Sequence, residues 1–183
     1  PELFLNAMSD KSILITLLLF CFTTVSAQYR PAYNAPLYHS LKRLQEKHNR
    51  NDDFIMVCNS YIDEKWDSTL YFTQKVIAEQ QDQEILDYSY FIRGYGFLKS
   101  KVPQEAKNSL QQVSTAFEHY ELTRNILGEI ALETEQYEMA LQYLKEAEAH
   151  SSPQQKAIVA STVKHNLGIA YLHLGKFSEA ESY

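Results

Sequence analysis

The histidine and carboxylate side chains of this 183-residue chain are the ones whose chemistry could support metal binding or catalysis. His165 and His173 are eight residues apart, so on a helix they share one face but lie about 12 Å apart along the axis. That separation is too long for one metal ion, and structural or partner-contacting roles are favoured. Glu133 and Glu135 form one of several close carboxylate pairs, which fall on exposed helix faces and near turns. Such positions favour solvated charge over acid–base catalysis.

Glycine-rich and nucleophile motifs give no stronger indication of catalysis than these histidines and carboxylates. The stretch Gly94-Tyr95-Gly96 lacks the third glycine of a nucleotide-binding fingerprint and falls inside a predicted helix. The sequence contains no Gly-x-Ser-x-Gly, His-Glu-x-x-His or phosphate-loop pattern. The sequence therefore predicts a protein that is not an enzyme and that has no catalytic residues, metal or cofactor.

The composition is typical of a globular, helix-rich chain. Apolar residues make up 45% of the sequence, whereas glycine and proline contribute five each, which favours helices over a turn-rich β fold. The net charge is −6, and no concentrated basic patch is present to bind phosphates, so no nucleic-acid partner is expected. Lys42, Arg43, Lys47 and Arg50 come nearest, but Glu46 dilutes them, and they are interpreted as the solvated face of one helix.

The N-terminal residues carry the pattern of a secretory signal. Lys11 precedes an apolar run at residues 13–22, and Val25-Ser26-Ala27 supplies the small-x-small end of such a signal. Residues 1–7 lie upstream of a better start at Met8. We therefore expect an exported, periplasmic protein that is cleaved after Ala27, with an uncleaved anchor as the alternative.

Small residues recur at matched positions further along the chain. Three glycines are each followed twelve residues later by an alanine: Gly94 and Ala106, Gly128 and Ala140, Gly168 and Ala180. Val113 and Ala147 follow the first two alanines after seven more residues. Small side chains at such points let two antiparallel helices approach closely while large neighbours interlock. The pattern therefore predicts a repeated pair of helices.

The segments "ILGEIALETEQYEMALQYLKEA" and "NLGIAYLHLGKFSEAESY" resemble the tetratricopeptide repeat. The matching residues are Leu127, Gly128, Tyr137, Ala140, Leu144 and Ala147 in one, and Leu167, Gly168, Tyr171, Gly175, Phe177 and Ala180 in the other. The tryptophan of the family pattern is not kept, and a first, weaker unit has Trp66 at its turn but lacks the glycine. The resemblance implies an all-α fold, a right-handed superhelical solenoid of antiparallel helix hairpins.

Three regions follow from these patterns. Residues 1–27 comprise the upstream residues and the signal, and residues 28–50 comprise an extended lead-in, up to Pro36, and a capping helix that starts at Leu37. Residues 51–183 form an array of about four units, the last incomplete. Because such arrays end in a polar cap, we expect the natural protein to continue beyond Tyr183, so that this chain is C-terminally truncated.

The resemblance also implies which side chains line the groove on the concave side of the solenoid. In chain order these are Tyr88, Phe91, Tyr95, Leu98, Lys99, Asn125, Glu129, Glu133, His165, Ile169 and His173. The first part of this groove is aromatic and suits a protein or peptide partner, since aromatic rings offer large contact area at low entropy cost. The alternative is that some of these side chains pack against the lead-in helix.

Three functional hypotheses follow. The first is an exported protein- or peptide-binding module that forms the sensory N-terminal part of a longer signal-transduction regulator, with any membrane contact made through a later C-terminal helix. The second is a periplasmic or outer-membrane assembly scaffold. The third is the docking arm of an enzyme whose catalytic domain lies outside these residues.

Overall fold

A computed structural model of the protein describes residues 34–151 and 156–183. The predicted signal sequence and cleavage site, in residues 1–27, lie outside the described residues. Leu37–Tyr183 form one compact unit.

Every regular element in the described residues is an α-helix, so the predicted all-α class is confirmed for that part of the chain. The helices are α1 (Asn34–Lys47), α2 (Asp52–Ile62), α3 (Trp66–Glu79), α4 (Gln83–Lys99), α5 (Pro103–Leu110), α6 (Tyr120–Glu133), α7 (Tyr137–His150), α8 (Lys156–His173) and α9 (Phe177–Ala180). From α2 onward, each helix packs against the next one along the chain, and α2 also contacts α4, as α6 contacts α8. Within the described residues, no helix is both long and apolar enough to cross a lipid bilayer.

The helix starts follow from local chemistry. The Asn51 side chain accepts a hydrogen bond from the backbone N–H of Phe54 at the start of α2, and Asp82 caps α4 in the same way. Helix α1 begins at Asn34 rather than at Leu37, so the expectation of an extended chain up to Pro36 is wrong for its last three residues. Proline is tolerated in the first turn of a helix because its missing N–H would have had no partner there.

Four three-residue turns in the described chain share one geometry. The second residue of each turn has a left-handed backbone, with φ of 56° at Glu64, 61° at Lys101, 59° at Glu135 and 70° at Gly175. The next residue donates its N–H to a carbonyl five residues earlier, at 2.8 Å for Lys65 to Ser60 and at 2.8 to 2.9 Å in the other three turns. This is the bonding of a Schellman motif, which closes the C-terminal end of a helix and reverses the chain.

Two of the recurrent glycines lie at close helix contacts, as the sequence predicts. A Cβ atom added to Gly94 would lie 2.5 Å from Leu110 Cγ, and one added to Gly128 would lie 2.6 Å from Leu144 Cγ. The same atom on Gly168 would find its nearest neighbour at 3.8 Å. Pairs α4–α5 and α6–α7 therefore depend on the absence of a side chain at these points, whereas the contact at Gly168 is looser.

Helix α5 ends at Leu110, before the Val113 that the repeat pattern includes. The non-helical segment that follows, residues 111–119, is attached to α4 through a buried carboxylate. Asp87 accepts hydrogen bonds from the backbone N–H of Ser114 at 2.8 Å and from its hydroxyl at 2.6 Å. These charge-assisted bonds satisfy the backbone where the helix is interrupted.

Candidate functional site

The first half of the predicted groove lies in the interior of the structure. Tyr88 and Phe91, on α4, are each 1% exposed. Both rings contact Phe117 of the 111–119 segment, with ring centroids 4.9 Å apart for Tyr88 and 5.5 Å apart for Phe91. These two predicted groove residues therefore present almost no surface to a partner in this arrangement.

Helix α1 lies across α2 and the N-terminal part of α4. His48, just after α1, packs edge-on against Phe54 of α2, and Gln45 donates a hydrogen bond of 2.8 Å to Asn59. Lys47 forms an ion pair with Glu84 of α4. None of these three contacts involves a predicted groove residue.

A hydrogen-bond network at Glu118 connects α1 to α4 and to the 111–119 segment. The Ser40 hydroxyl donates to Glu118 Oε1 at 3.0 Å, and the Tyr88 hydroxyl donates to Oε2 at 3.0 Å. Arg43 pairs with the same carboxylate. His119 Nε2 lies 3.0 Å from Ser40 Oγ, and because the serine proton is used on Glu118, this nitrogen is the donor. Ser40 is therefore a relay in a structural network and not a nucleophile activated by histidine.

The four titratable groups of this network, Arg43, Tyr88, Glu118 and His119, all have shifted pKa values, and the last two affect the response to acid. Burial alone raises the pKa of Glu118, but the hydrogen bonds from Arg43, Ser40 and Tyr88 lower it more, so the net shift is downward. Burial lowers the pKa of His119, because the imidazolium form is poorly solvated there. The network is therefore built for a charged carboxylate and a neutral imidazole.

We expect the stability of the protein to fall in two steps as the medium is acidified. Below the ordinary histidine pKa of 6.5 the unfolded chain takes up a proton that folded His119 resists. Below the ordinary glutamate pKa of 4.5 the unfolded chain takes up a second proton that folded Glu118 resists, and the stabilisation by its carboxylate is lost as the pH falls through the folded value. The Glu118 side chain is 40% exposed, so solvent screening limits its step to about 1 kcal/mol or less.

Urea unfolding at about pH 7.5, 5.5 and 3.5 tests both steps. His119→Asn should reduce the upper step and Glu118→Gln the lower one, because neither substitute titrates in this range. A remainder of each step is expected from His165 and from Glu84, whose pKa values are also lowered, by burial and by the hydrogen bond from Lys47 respectively. If each variant instead keeps the full pH dependence of the original chain, other groups account for it.

The second half of α4 belongs to a half-exposed aromatic cluster. The Tyr61 ring centroid lies 6.0 Å from that of Trp66 and 5.6 Å from that of Tyr95. Lys99 Nζ lies 5.2 Å from the Tyr95 centroid and 6.0 Å from that of Trp66. The Tyr61 hydroxyl oxygen is buried and has no hydrogen-bond partner among the described residues. Tyr95, Leu98 and Lys99, all predicted groove residues, are half-buried and leave part of their surface accessible.

A polar contact joins α6 to α8. Asn125, 1% exposed, donates to Glu129 Oε1 at 2.9 Å. Asn166 of α8 donates to Asn125 Oδ1 at 3.2 Å and to Glu129 Oε1 at 3.3 Å. The structure thus brings together the predicted groove residues Asn125 and Glu129 and a third residue, Asn166, that the sequence analysis did not predict. No local signal marks Asn166, since its partner Asn125 is 41 residues away in the sequence.

The remaining predicted residues are dispersed. Glu133 is exposed, and Ile169 and His165 are half-buried; burial lowers the pKa of His165. His173 stacks on Tyr137, with ring centroids 4.4 Å apart. Within the described part of the chain, no group of three or more histidine, cysteine, aspartate or glutamate side chains could hold a metal ion.

No protein-family model and no curated protein matches this chain. Two features of the structure, one half-exposed and one buried, remain as the basis for a function. One is the cluster of Tyr61, Trp66, Tyr95 and Lys99, and the other is the α6–α8 polar contact. The first combines aromatic surface with a cation, and the second holds two helices in a fixed relation through buried amides.

Proposed function

We propose that the protein is a helical-repeat module that binds a protein or peptide, with a solenoid architecture like that of tetratricopeptide-repeat proteins. The four left-handed turn residues support this architecture, since they recur at intervals of 37, 34 and 40 residues with one hydrogen-bonding pattern. Such regularity is typical of stacked units that each bury one face against a neighbour.

The observation that carries the binding function is the aromatic cluster in which Trp66, Tyr95 and Lys99 are half-exposed and pack around the buried Tyr61. Rigid aromatic rings give large contact area at low entropy cost, and such residues dominate binding energy in many interfaces. Lys99 adds a cation at the edge of this surface, suited to a carboxylate of the partner.

The setting in which this module acts is part of the same proposal. The sequence at residues 8–27 supports an exported, periplasmic location, and the module would then be the sensing part of a larger signal-transduction regulator. The binding function needs neither a cofactor nor a catalytic group.

Selection of a displayed peptide library on the full chain, followed by affinity measurements on the selected peptides, tests the binding function. We expect Tyr95→Ala and Lys99→Ala each to weaken binding about ten-fold, because they remove a ring or a charge from the contact surface. Tyr71→Ala is the matched control, since Tyr71 is a 65% exposed tyrosine on α3, outside the cluster.

Tyr95→Phe should retain most of the affinity, because the ring is kept. Circular dichroism on each variant establishes that the helices are intact. Binding that is equally sensitive to Tyr71→Ala, or insensitive to Tyr95→Ala in a folded variant, would contradict the proposed surface.

A further inference from the structure

Helix α1 presents a complete amphipathic stripe to the rest of the protein. Leu37, Leu41 and Leu44 are spaced as i, i+4 and i+7, and none is more than 1% exposed. Tyr38 and Lys42, on the other side of the helix, are exposed. The surface that α1 contacts is formed by α2, by the N-terminal part of α4 and by the 111–119 segment, and is termed the α1-binding face below. The α1-binding face therefore buries the leucine side of one amphipathic helix.

Charge complementarity sets the position of α1 on this face. Arg43 pairs with Glu118 and Lys47 pairs with Glu84, so both cations belong to the bound helix and both carboxylates to the surface that receives it. The two basic side chains are 56% and 58% exposed. Exposed pairs of this kind add little affinity, but they select the register and direction of the helix that docks.

The connection of α1 to α2 differs from the four repeated turns. Among the described residues, the left-handed backbone conformation occurs at Glu64, Lys101, Glu135 and Gly175, and not in the link between α1 and α2. That link is closed by other bonds, from His48 N–H to the Leu44 carbonyl and from Asn51 N–H to the His48 carbonyl. Helix α1 is thus an addition to the regularly repeated pairs, held by its leucines and by polar side chains.

We infer that the α1-binding face is a receptor for an amphipathic partner helix, and that α1 is its intramolecular competitor. The partner helix carries leucines at i, i+4 and i+7 and basic residues at i+6 and i+10, the pattern of Leu37, Leu41, Leu44, Arg43 and Lys47. Displacement of α1 gives the partner access to Glu84, Glu118 and the otherwise buried Tyr88. This inference rests on the proposed binding function and names a second surface for it.

Titration with a fluorescent peptide that comprises residues 34–47 tests the inference. In the unsubstituted full chain, the tethered α1 competes at an effective concentration on the order of millimolar, so the peptide should bind weakly. In the full chain with Leu41→Asp, the tethered helix is weakened by a buried charge, and the peptide should bind at least about ten-fold more tightly. A peptide that itself carries Leu41→Asp is the matched control and should not bind to either chain.

Two further variants keep the test decisive. If Leu41→Asp unfolds the chain, Leu41→Ala weakens α1 by truncating a buried side chain without burying a charge, and a similar gain in peptide affinity is expected. In a chain that also carries Glu84→Gln and Glu118→Gln, the peptide should lose several-fold of that gain, since its basic residues lose their partners.

Two outcomes would overturn the inference. In one, chains with a weakened α1 keep their helical circular dichroism but do not bind the unsubstituted peptide, which would make α1 a fixed part of the fold. In the other, the unsubstituted chain forms a dimer that Leu41→Asp abolishes, which would assign the face to α1 of a second copy. Either outcome is separate from a failure of the library experiment, which reports on Tyr95 and Lys99.

Discussion

Replacing Asp87 with alanine is expected to lower the free energy of unfolding by about 3 kcal/mol. Asp87 is 3% exposed and accepts two hydrogen bonds from Ser114 and a third from Gln83. Its removal leaves the half-buried backbone N–H of Ser114, in the segment after α5, without its acceptor, and such a loss costs about 1–3 kcal/mol. Urea unfolding followed by circular dichroism measures the change.

Ser114→Ala is the control for this prediction. It removes the hydroxyl donor but keeps the backbone bond to Asp87, so a loss of about 1 kcal/mol is expected. Equal losses in the two variants would show that the backbone bond does not hold the 111–119 segment.

Replacing Gly94 with alanine is expected to destabilise the protein by about 2 kcal/mol, even though alanine is the better helix former. The new Cβ would lie 2.5 Å from Leu110 Cγ and 3.2 Å from the carbonyl oxygen of Ala106. Leu110 is 1% exposed and has little room to move, so α4 and α5 must separate. Thermal unfolding followed by circular dichroism would report this loss.

Gly168→Ala provides the matched comparison within the same protein. Its Cβ would meet Tyr183 Cβ at 3.8 Å, an ordinary van der Waals contact. The gain in helix propensity, about 1 kcal/mol, should then be realised, so the two substitutions shift the midpoint of unfolding in opposite directions. A destabilising Gly168→Ala would imply that α8 and α9 pack more tightly than the structure shows.

These contrasting glycines show which helix contacts can be predicted from the sequence alone. The regular spacing of Gly94 and Gly128 predicts close helix contacts, and the structure places Leu110 and Leu144 against them. Small residues at crossing points are a local requirement, visible in one sequence. The leucine spacing in α1 similarly predicts a buried stripe, because helical periodicity is also local.

Contacts between residues far apart in the sequence account for the features of the fold that the sequence alone did not predict. The face of α4 that α1 covers is fixed by Glu84 and by Glu118, which lies 75 residues from Arg43. The 111–119 segment is held to α4 by Asp87, 27 residues before Ser114. Such contacts leave no periodic pattern in the sequence. Tyr88 could thus be predicted as an aromatic of α4, but its contacts with Phe117 and Glu118 could not.

The four turns differ in the backbone strain of their second residue. Glu64, Lys101 and Glu135 adopt a backbone conformation that a side chain disfavours by about 1–2 kcal/mol, whereas Gly175 adopts it without that penalty. The first three reversals therefore need the docking of their flanking helices to hold them. The fourth can bend from local preference alone, so the reversal between α8 and α9 is the one of the four that depends least on the docking of neighbouring helices.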